Sequence, residues 1–236
     1  MSNSTNSLPD LNNCVIAVLG LGYVGLPLAV SFAKTKKCVL TNEILERKVF
    51  GFDINKKRIN ELKTGLDKTN EISEKHLLCQ ENLLFTDNME DIIEADIFII
   101  TVPTPIDKFK KPDLSSLKKV SKLVGSVIKL GINKKCPIIL YESTVYPGAT
   151  EEVCVPIIEA ESKLKLNKDF FVGYSPERIN PGDQKRSISD IVKITSGMDS
   201  ITAKWIDDFY GSFIKAGTHI ANSIKVAETA KVIENT

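Results

Sequence analysis

The chain has 236 residues, 42% of them hydrophobic, with 31 basic and 30 acidic side chains and a formal net charge of +1. That length and apolar content suffice for a full core in one large or two small domains, and the near-neutral balance argues against a nucleic acid or a membrane surface as partner. No run approaches the roughly 18 to 20 consecutive apolar residues of a membrane span.

Residues 1–13, opening MSNSTNSLPD, lack an apolar core and read as a flexible tail rather than a signal peptide. Residues 14–19 are apolar and β-branched, as a buried parallel strand requires because both its faces are covered. Gly20, Gly22 and Gly25 follow at the spacing G-x-G-x-x-G, and residues 26–33 have helical composition, with Pro27 tolerated in a first turn. Strand, glycine turn and helix in that order are the context of a dinucleotide site. Gly20 permits the tight turn, Gly22 lets backbone N–H groups approach a pyrophosphate, and Gly25 lets the helix pack close to the strand. The helix N-terminus then faces the anion.

Two strands compete to come next. Residues 38–40 could end near Glu43, about 20 residues beyond the glycines, where an acid for the adenosine ribose is expected. Residues 49–52 end on Asp53 and lead into the helical NKKRINELKTG. Asp53 is preferred, because an acid at a strand tip reaches the ribose, and residues 41–48 then form an inserted turn of helix or a loop. An acid there disfavours a 2′-phosphate, so NAD is expected over NADP. Arg58 could accept a phosphate, stack on adenine or point to solvent.

Residues 73–78 suggest a short helix with Ser73 as its cap, on which His76 reads as a surface residue. A strand over 83–85 and a short helix over 89–94 precede IFIITV, residues 97–102, a central strand. Pro103-Thr104-Pro105 must take the chain out of the sheet at a carboxyl edge, where open α/β sheets bind ligands. An amphipathic helix over 112–130, capped by Asp113 or Ser115, leads to a strand over 137–141. Thr144 then falls between that strand and a helix over 149–162, at the edge of the glycine loop, as a helix cap or a functional hydroxyl.

A strand over 170–174 opens onto a polar loop, 175–183, the kind of segment on which function concentrates. A strand over 191–195, a helix over 201–209, His219 in a connecting segment and a helix over 224–235 complete the chain. On that last helix Lys231 and Asn235 share a face. The five cysteines are odd in number and widely spaced with no C-x-x-C, against a disulfide framework or a metal site and in keeping with a reducing, cytoplasmic setting.

GLGYVGLP, GFDINKKRI, TVPTP, YESTVYPG, YSPERINPGD and SIKVAETAKVIENT occur in this order and cover nearly everything from Cys14 to Thr236. In these motifs the chain resembles the N-terminal part of the UDP-glucose/GDP-mannose dehydrogenase family. The last three are similar to the branch that oxidises UDP-N-acetylhexosamines. The resemblance implies oxidation of a sugar C6 alcohol to a carboxylate with two NAD per substrate, through an aldehyde and an enzyme-bound thioester, for surface polysaccharide biosynthesis. UDP-N-acetylglucosamine is the expected sugar; UDP-glucose and the N-acetylgalactosamine and N-acetylmannosamine analogues are alternatives.

Carried over motif by motif, Gly20, Gly22, Tyr23, Val24, Gly25, Asp53 and Arg58 would hold the adenosine half of NAD. Thr101, Val102, Pro103, Thr104, Thr144 and Glu177 would line the nicotinamide side. Thr144 and Glu177 would position and activate the water that hydrolyses the thioester, and Lys231 and Asn235 would stabilise the oxyanion. Glu177, Arg178, Ile179, Asn180, Lys231 and Asn235 would meet the sugar nucleotide. Pro181 stands where some members carry a second glutamate. The family's nucleophilic cysteine and UDP-binding domain are expected beyond Thr236, so the 236-residue chain by itself is expected to bind NAD weakly without turnover.

The expected fold is α/β, a doubly wound parallel sheet of the Rossmann type over 14–221. Residues 222–236 are expected to begin a truncated central helix through which the family dimerises. Two other readings are a non-catalytic nucleotide- or partner-binding module and a different NAD enzyme, such as a hydroxyacid dehydrogenase with a lysine base.

Overall fold

The computed structural model describes residues 8–106, 111–131, 136–178 and 187–234. The strands are β1 (Val15–Leu19), β2 (Lys48–Phe52), β3 (Leu83–Thr86), β4 (Ile97–Ile100), β5 (Ile138–Tyr141), β6 (Phe171–Tyr174), β7 (Lys193–Gly197) and β8 (Thr218–Ile220). They form one sheet in the order β3-β2-β1-β4-β5-β6-β7-β8. All neighbours are parallel except β6 and β7, so β7 and β8 run against the rest. The order reverses beside β1, between the outward run to β3 and the return through β4, which makes the crevice at their carboxyl ends the topological switch point.

The central strands IFII of β4 and IILY of β5 are buried throughout. Their side chains nevertheless alternate between two cores, as the period of two in a strand requires. Phe98, Ile100, Ile139 and Tyr141 pack on one face with α4 (Ser115–Leu130), α5 (Val155–Ser162) and α7 (Ile224–Glu234). Ile97, Ile99, Ile138 and Leu140 pack on the other with α1 (Gly25–Lys34), α2 (Lys56–Lys63) and α6 (Ser200–Gly211). A short helix α3 (Glu74–Leu78) precedes β3. Asn55 caps α2 by accepting from the N–H groups of Lys57 and Arg58, and the Asp113 carboxylate accepts from Ser115 N at the start of α4.

Several expectations change in detail. Residues 38–40 do not make a strand: Lys37 and Ile44 form an isolated bridge around a tight turn with Asn42 at φ 61°, and no helix forms between Thr41 and Lys48. Ser73 makes no side-chain cap, and the short helix after β3 is a 3-10 turn, Met89–Ile92. The expected helix over 149–162 opens as a π-helical turn, Thr150–Cys154, before α5. His219 is not in a connection but in the edge strand β8.

Residues 8–13, assigned to a flexible tail, are tied down. Trp205 Nε1 donates to Pro9 O at 2.9 Å, and Arg47 donates to Leu11 O through Nε at 3.0 Å and Nη2 at 2.7 Å. Arg47 also reaches Ser212 Oγ at 2.8 Å and stands 5.0 Å from the Phe209 ring, within an aromatic group with Phe32, Tyr210 and Phe213. This buried guanidinium pins the N-terminal segment to α6. Arg47→Ala is expected to cost about 2 kcal/mol, the scale of charge-assisted hydrogen bonds, measured by urea denaturation, and to open residues 8–13 to limited proteolysis.

Candidate functional site

The loop after β1 is held by its neighbours from all sides. Gly20 takes φ +97° and donates its N–H to Phe52 O at 2.9 Å. The Thr101 hydroxyl at the end of β4 bridges Leu19 O at 3.0 Å and Gly20 O at 2.7 Å. Asp53 accepts from Leu21 N at 2.9 Å, and Arg58 Nε donates to Leu21 O at 3.0 Å. A Cβ on Gly25 would lie 2.0 Å from Gly20 O and 2.3 Å from Thr101 Oγ1, so only glycine lets α1 begin there. A Cβ on Gly22 would meet nothing within 4 Å, which leaves that backbone open to a ligand. No side chain caps α1.

These residues form one wall of a cleft of about 980 Å³ at the carboxyl edge of the sheet. Its lining runs from Asp53 and Arg58, along Gly20–Val24 and Thr101–Pro105, to Glu142, Thr144, Glu177 and Lys231. The cleft thus gathers the glycine loop, the acid at the tip of β2, both strand-end loops and the lysine of α7. Glu43 lies apart, with its carboxylate on Thr41 and Asn12.

Arg58 does not point to solvent. Its side chain is 10% exposed and its Nη2 pairs with Asp67 at 2.8 Å, while Nη1 is buried with no partner among the described residues. Burial opposes ionisation of Asp67, but hydrogen bonds from Thr69, Ile72 N and Arg58 outweigh it and hold its carboxyl below the usual range. An arginine already neutralised in this way is poorly disposed to a 2′-phosphate, while its orphan Nη1 and the open glycine backbone suit a dinucleotide.

The loops at the far end are joined to each other. Ser143 Oγ donates to Val102 O at 2.6 Å, and Thr104 Oγ1 to Thr144 O at 2.5 Å. Glu228 of α7, fully buried, accepts from Gly148 N at 2.5 Å and Thr150 N at 3.0 Å, so a carboxylate occupies the start of the π-helical turn. Burial raises its carboxyl above the ordinary value against the pull of those hydrogen bonds.

Thr144 is exposed and Glu177 partly buried, with Glu177 Oε1 accepting from Arg178 N at 2.6 Å. Arg178 is turned to Glu234, its Nη2 and Nε at 2.7 and 2.9 Å from Oε1, and to Val192 O, and it does not line the cleft. Lys231, 12% exposed, lies 3.6 Å from the other oxygen of Glu234. Ile179, Asn180 and Asn235 lie outside the described residues.

Sequence reasoning missed Glu142, Lys193, Tyr210, Glu228 and Glu234. For the first two the signal was a charge set directly against an apolar strand run; Glu234 was readable only as the residue three after Lys231. None of the five cysteines lines the cleft, and among the described residues no His, Cys, Asp or Glu cluster could hold a metal.

A sequence profile described as the UDP-glucose/GDP-mannose dehydrogenase family, NAD binding domain, matches residues 14–214. The chain belongs to this family. It is 53% identical over 221 residues to a UDP-N-acetyl-D-glucosamine 6-dehydrogenase of Pseudomonas aeruginosa, covering 94% of this chain and 49% of that one. To the enzyme of the same name from Salmonella typhi it is 54% identical, with 94% and 48% covered. Among solved structures, a UDP-D-ManNAc dehydrogenase from Pyrococcus horikoshii superposes with a TM-score of 0.80 at 32% identity, covering 94% of this chain and 50% of that one. The chain spans about half the length of the curated relatives it matches. The chain therefore carries the family's NAD-binding domain, and the glycine cleft lies within the matched residues except for Lys231.

Asp67→Asn should destabilise the fold at neutral pH by about 3 kcal/mol, because it leaves the Arg58 charge buried without its partner. A depressed carboxyl contributes stability that is complete above its ordinary value of 3.8 and is lost as pH falls through the lower folded value. Urea midpoints of parent and variant should therefore converge as pH drops below 3.8. The thiols give a second check. Burial pushes Cys14 up to about 12 and Cys154 up to about 11, and Cys79 alone of the five is exposed. One rapid equivalent with a disulfide reagent is expected, and Cys79→Ser should remove it.

Proposed function

We propose that this chain is the NAD-binding portion of an enzyme that oxidises C6 of a UDP-N-acetylhexosamine, UDP-N-acetylglucosamine first among them, to the uronic acid used in surface polysaccharide synthesis. The observation that carries this reading is the composition of one cleft, with the glycine loop and Asp53 at one end and Thr144, Glu177 and Lys231 at the other. NAD, when bound, supplies the hydride acceptor.

The uncapped start of α1 and the open backbone at Gly22 receive the pyrophosphate. Asp53 accepts from the adenosine ribose, and Arg58, already paired with Asp67, has little to offer a 2′-phosphate. The Thr101–Thr104 loop lies along the nicotinamide side. Thr144 and Glu177 hold the hydrolytic water, with Glu177 as general base. The Lys231 ammonium, with Asn235, meets the developing oxyanion, and its distance from Glu234 leaves it able to turn toward the cleft.

In the longer protein this reading adds a second copy through the helix that α7 begins, on which Val226, Val232 and Ile233 present apolar surface. It places the enzyme in the cytoplasm, where the free thiols stay reduced. No helix among the described residues is long and apolar enough to cross a membrane.

Calorimetric titration of the chain tests the cofactor reading: NAD should bind at least about tenfold more tightly than NADP, with little heat from UDP-N-acetylglucosamine. Gly25→Ala should abolish NAD binding. Failure of the parent chain to bind NAD, or a preference for NADP, would sink it. For the activity, the full-length protein should yield two NADH per UDP-N-acetylglucosamine consumed.

A further inference from the structure

Beneath the nicotinamide end of the cleft lies a buried polar group that the proposed reaction does not use. Lys193, the first residue of β7, and Glu142, the residue after β5, have side chains only 3% and 0% exposed. Lys193 Nζ meets Glu142 Oε2 at 2.5 Å, Ser175 O at 3.3 Å and Pro176 O at 3.2 Å. Its three N–H donors therefore have three acceptors. The other oxygen of Glu142 accepts from the Tyr210 hydroxyl at 2.5 Å. The antiparallel register, Tyr174 opposite Ser196, sets Lys193 beside the segment that continues past β6.

We propose that Lys193 is a positioning residue that fixes Thr144 and Glu177 relative to one another. Of its three acceptors, one side chain stands two residues before Thr144 and one carbonyl stands immediately before Glu177. Ser143 and Thr104 tie the Thr144 loop to the end of β4, Ser175 Oγ ties the Glu177 segment to Ile194 O, and Ser175 N donates to Tyr141 O at 2.9 Å where β5 and β6 end. Lys193 adds to these a single side chain that grips both segments next to Thr144 and Glu177. Stability alone gives little reason for this arrangement, since well-packed apolar residues of the same volume usually serve a buried position as well as an ion pair does. A cation with three directional donors adds what an apolar side chain lacks, a fixed spacing between two strand ends.

The inference rests on the NAD reading of the cleft, and the test separates the two. NAD and ADP-ribose share every group except the nicotinamide, so a fault confined to the far loops weakens one and spares the other. Lys193→Met in this chain is expected to weaken NAD about tenfold while ADP-ribose binding stays within about twofold of the parent, both measured calorimetrically at a temperature where circular dichroism matches the parent. Glu142→Gln, nearly isosteric, should show the same selective loss and serves if the lysine variant does not fold. Parallel loss of both ligands, the mark of a merely structural role, overturns the proposal, as does unchanged binding of both. A parent chain that binds ADP-ribose and NAD normally while the variants do so too sinks this inference alone; a parent that binds neither sinks the cofactor reading, and this inference with it.

Discussion

The approach of α1 to the end of β1 is the constraint from which the rest of the molecule follows. The Gly20 carbonyl and the Thr101 hydroxyl both lie closer to Gly25 than any side-chain carbon there would tolerate. Packing that tight fixes the direction of α1, and the direction of α1 fixes where its free N–H groups point. Thr101 belongs to β4, so the contact also locks the two strands on either side of the switch point. Sheet, glycine loop and helix are one object at this point, and the cleft is what they leave uncovered.

From that centre the carboxyl edge is stitched outward in both directions. Toward β2, Asp53 and Arg58 grip the N–H and the carbonyl of Leu21, and Asp67 neutralises the arginine from behind. Toward β5 and β6 the links are short hydroxyl contacts, then two buried carboxylates, Glu142 and Glu228, each of which joins elements far apart in sequence. Buried charge is costly, and the described charges with least exposure stand here, next to the loops that carry Thr144 and Glu177.

Much of this was legible in the amino acids because it depends on local pattern. Continuous apolar runs such as IFII and IILY identify strands covered on both faces, and the three glycines identify the turn between the first strand and helix. What escaped depends on tertiary neighbours. β8 is a three-residue edge strand, partly exposed, with no apolar run to announce it. Residues 8–13 looked like a tail because their anchors, Arg47 and Trp205, are remote in sequence. Strand context rather than residue count points to the acid that lines the cleft, Asp53, with Glu43 apart on Thr41 and Asn12, while the partners of Arg58 could not be inferred from its position on a helix. Glu142 and Lys193 are 51 residues apart, and only the antiparallel turn of β7 brings them together.

The helix caps have a consequence for selectivity among the sites that could attract a phosphate. Every helix N-terminus at the carboxyl edge offers a partial positive charge and unpaired donors. At α2 those donors are taken by Asn55, at α4 by Asp113, and at the turn leading into α5 by Glu228. Of these four starts only α1 has no side chain in that place. A diphosphate drawn to this edge would thus meet three berths already filled by an amide and two carboxylates and a single vacant one, so the capping side chains narrow the choice of seat as much as the glycines shape it.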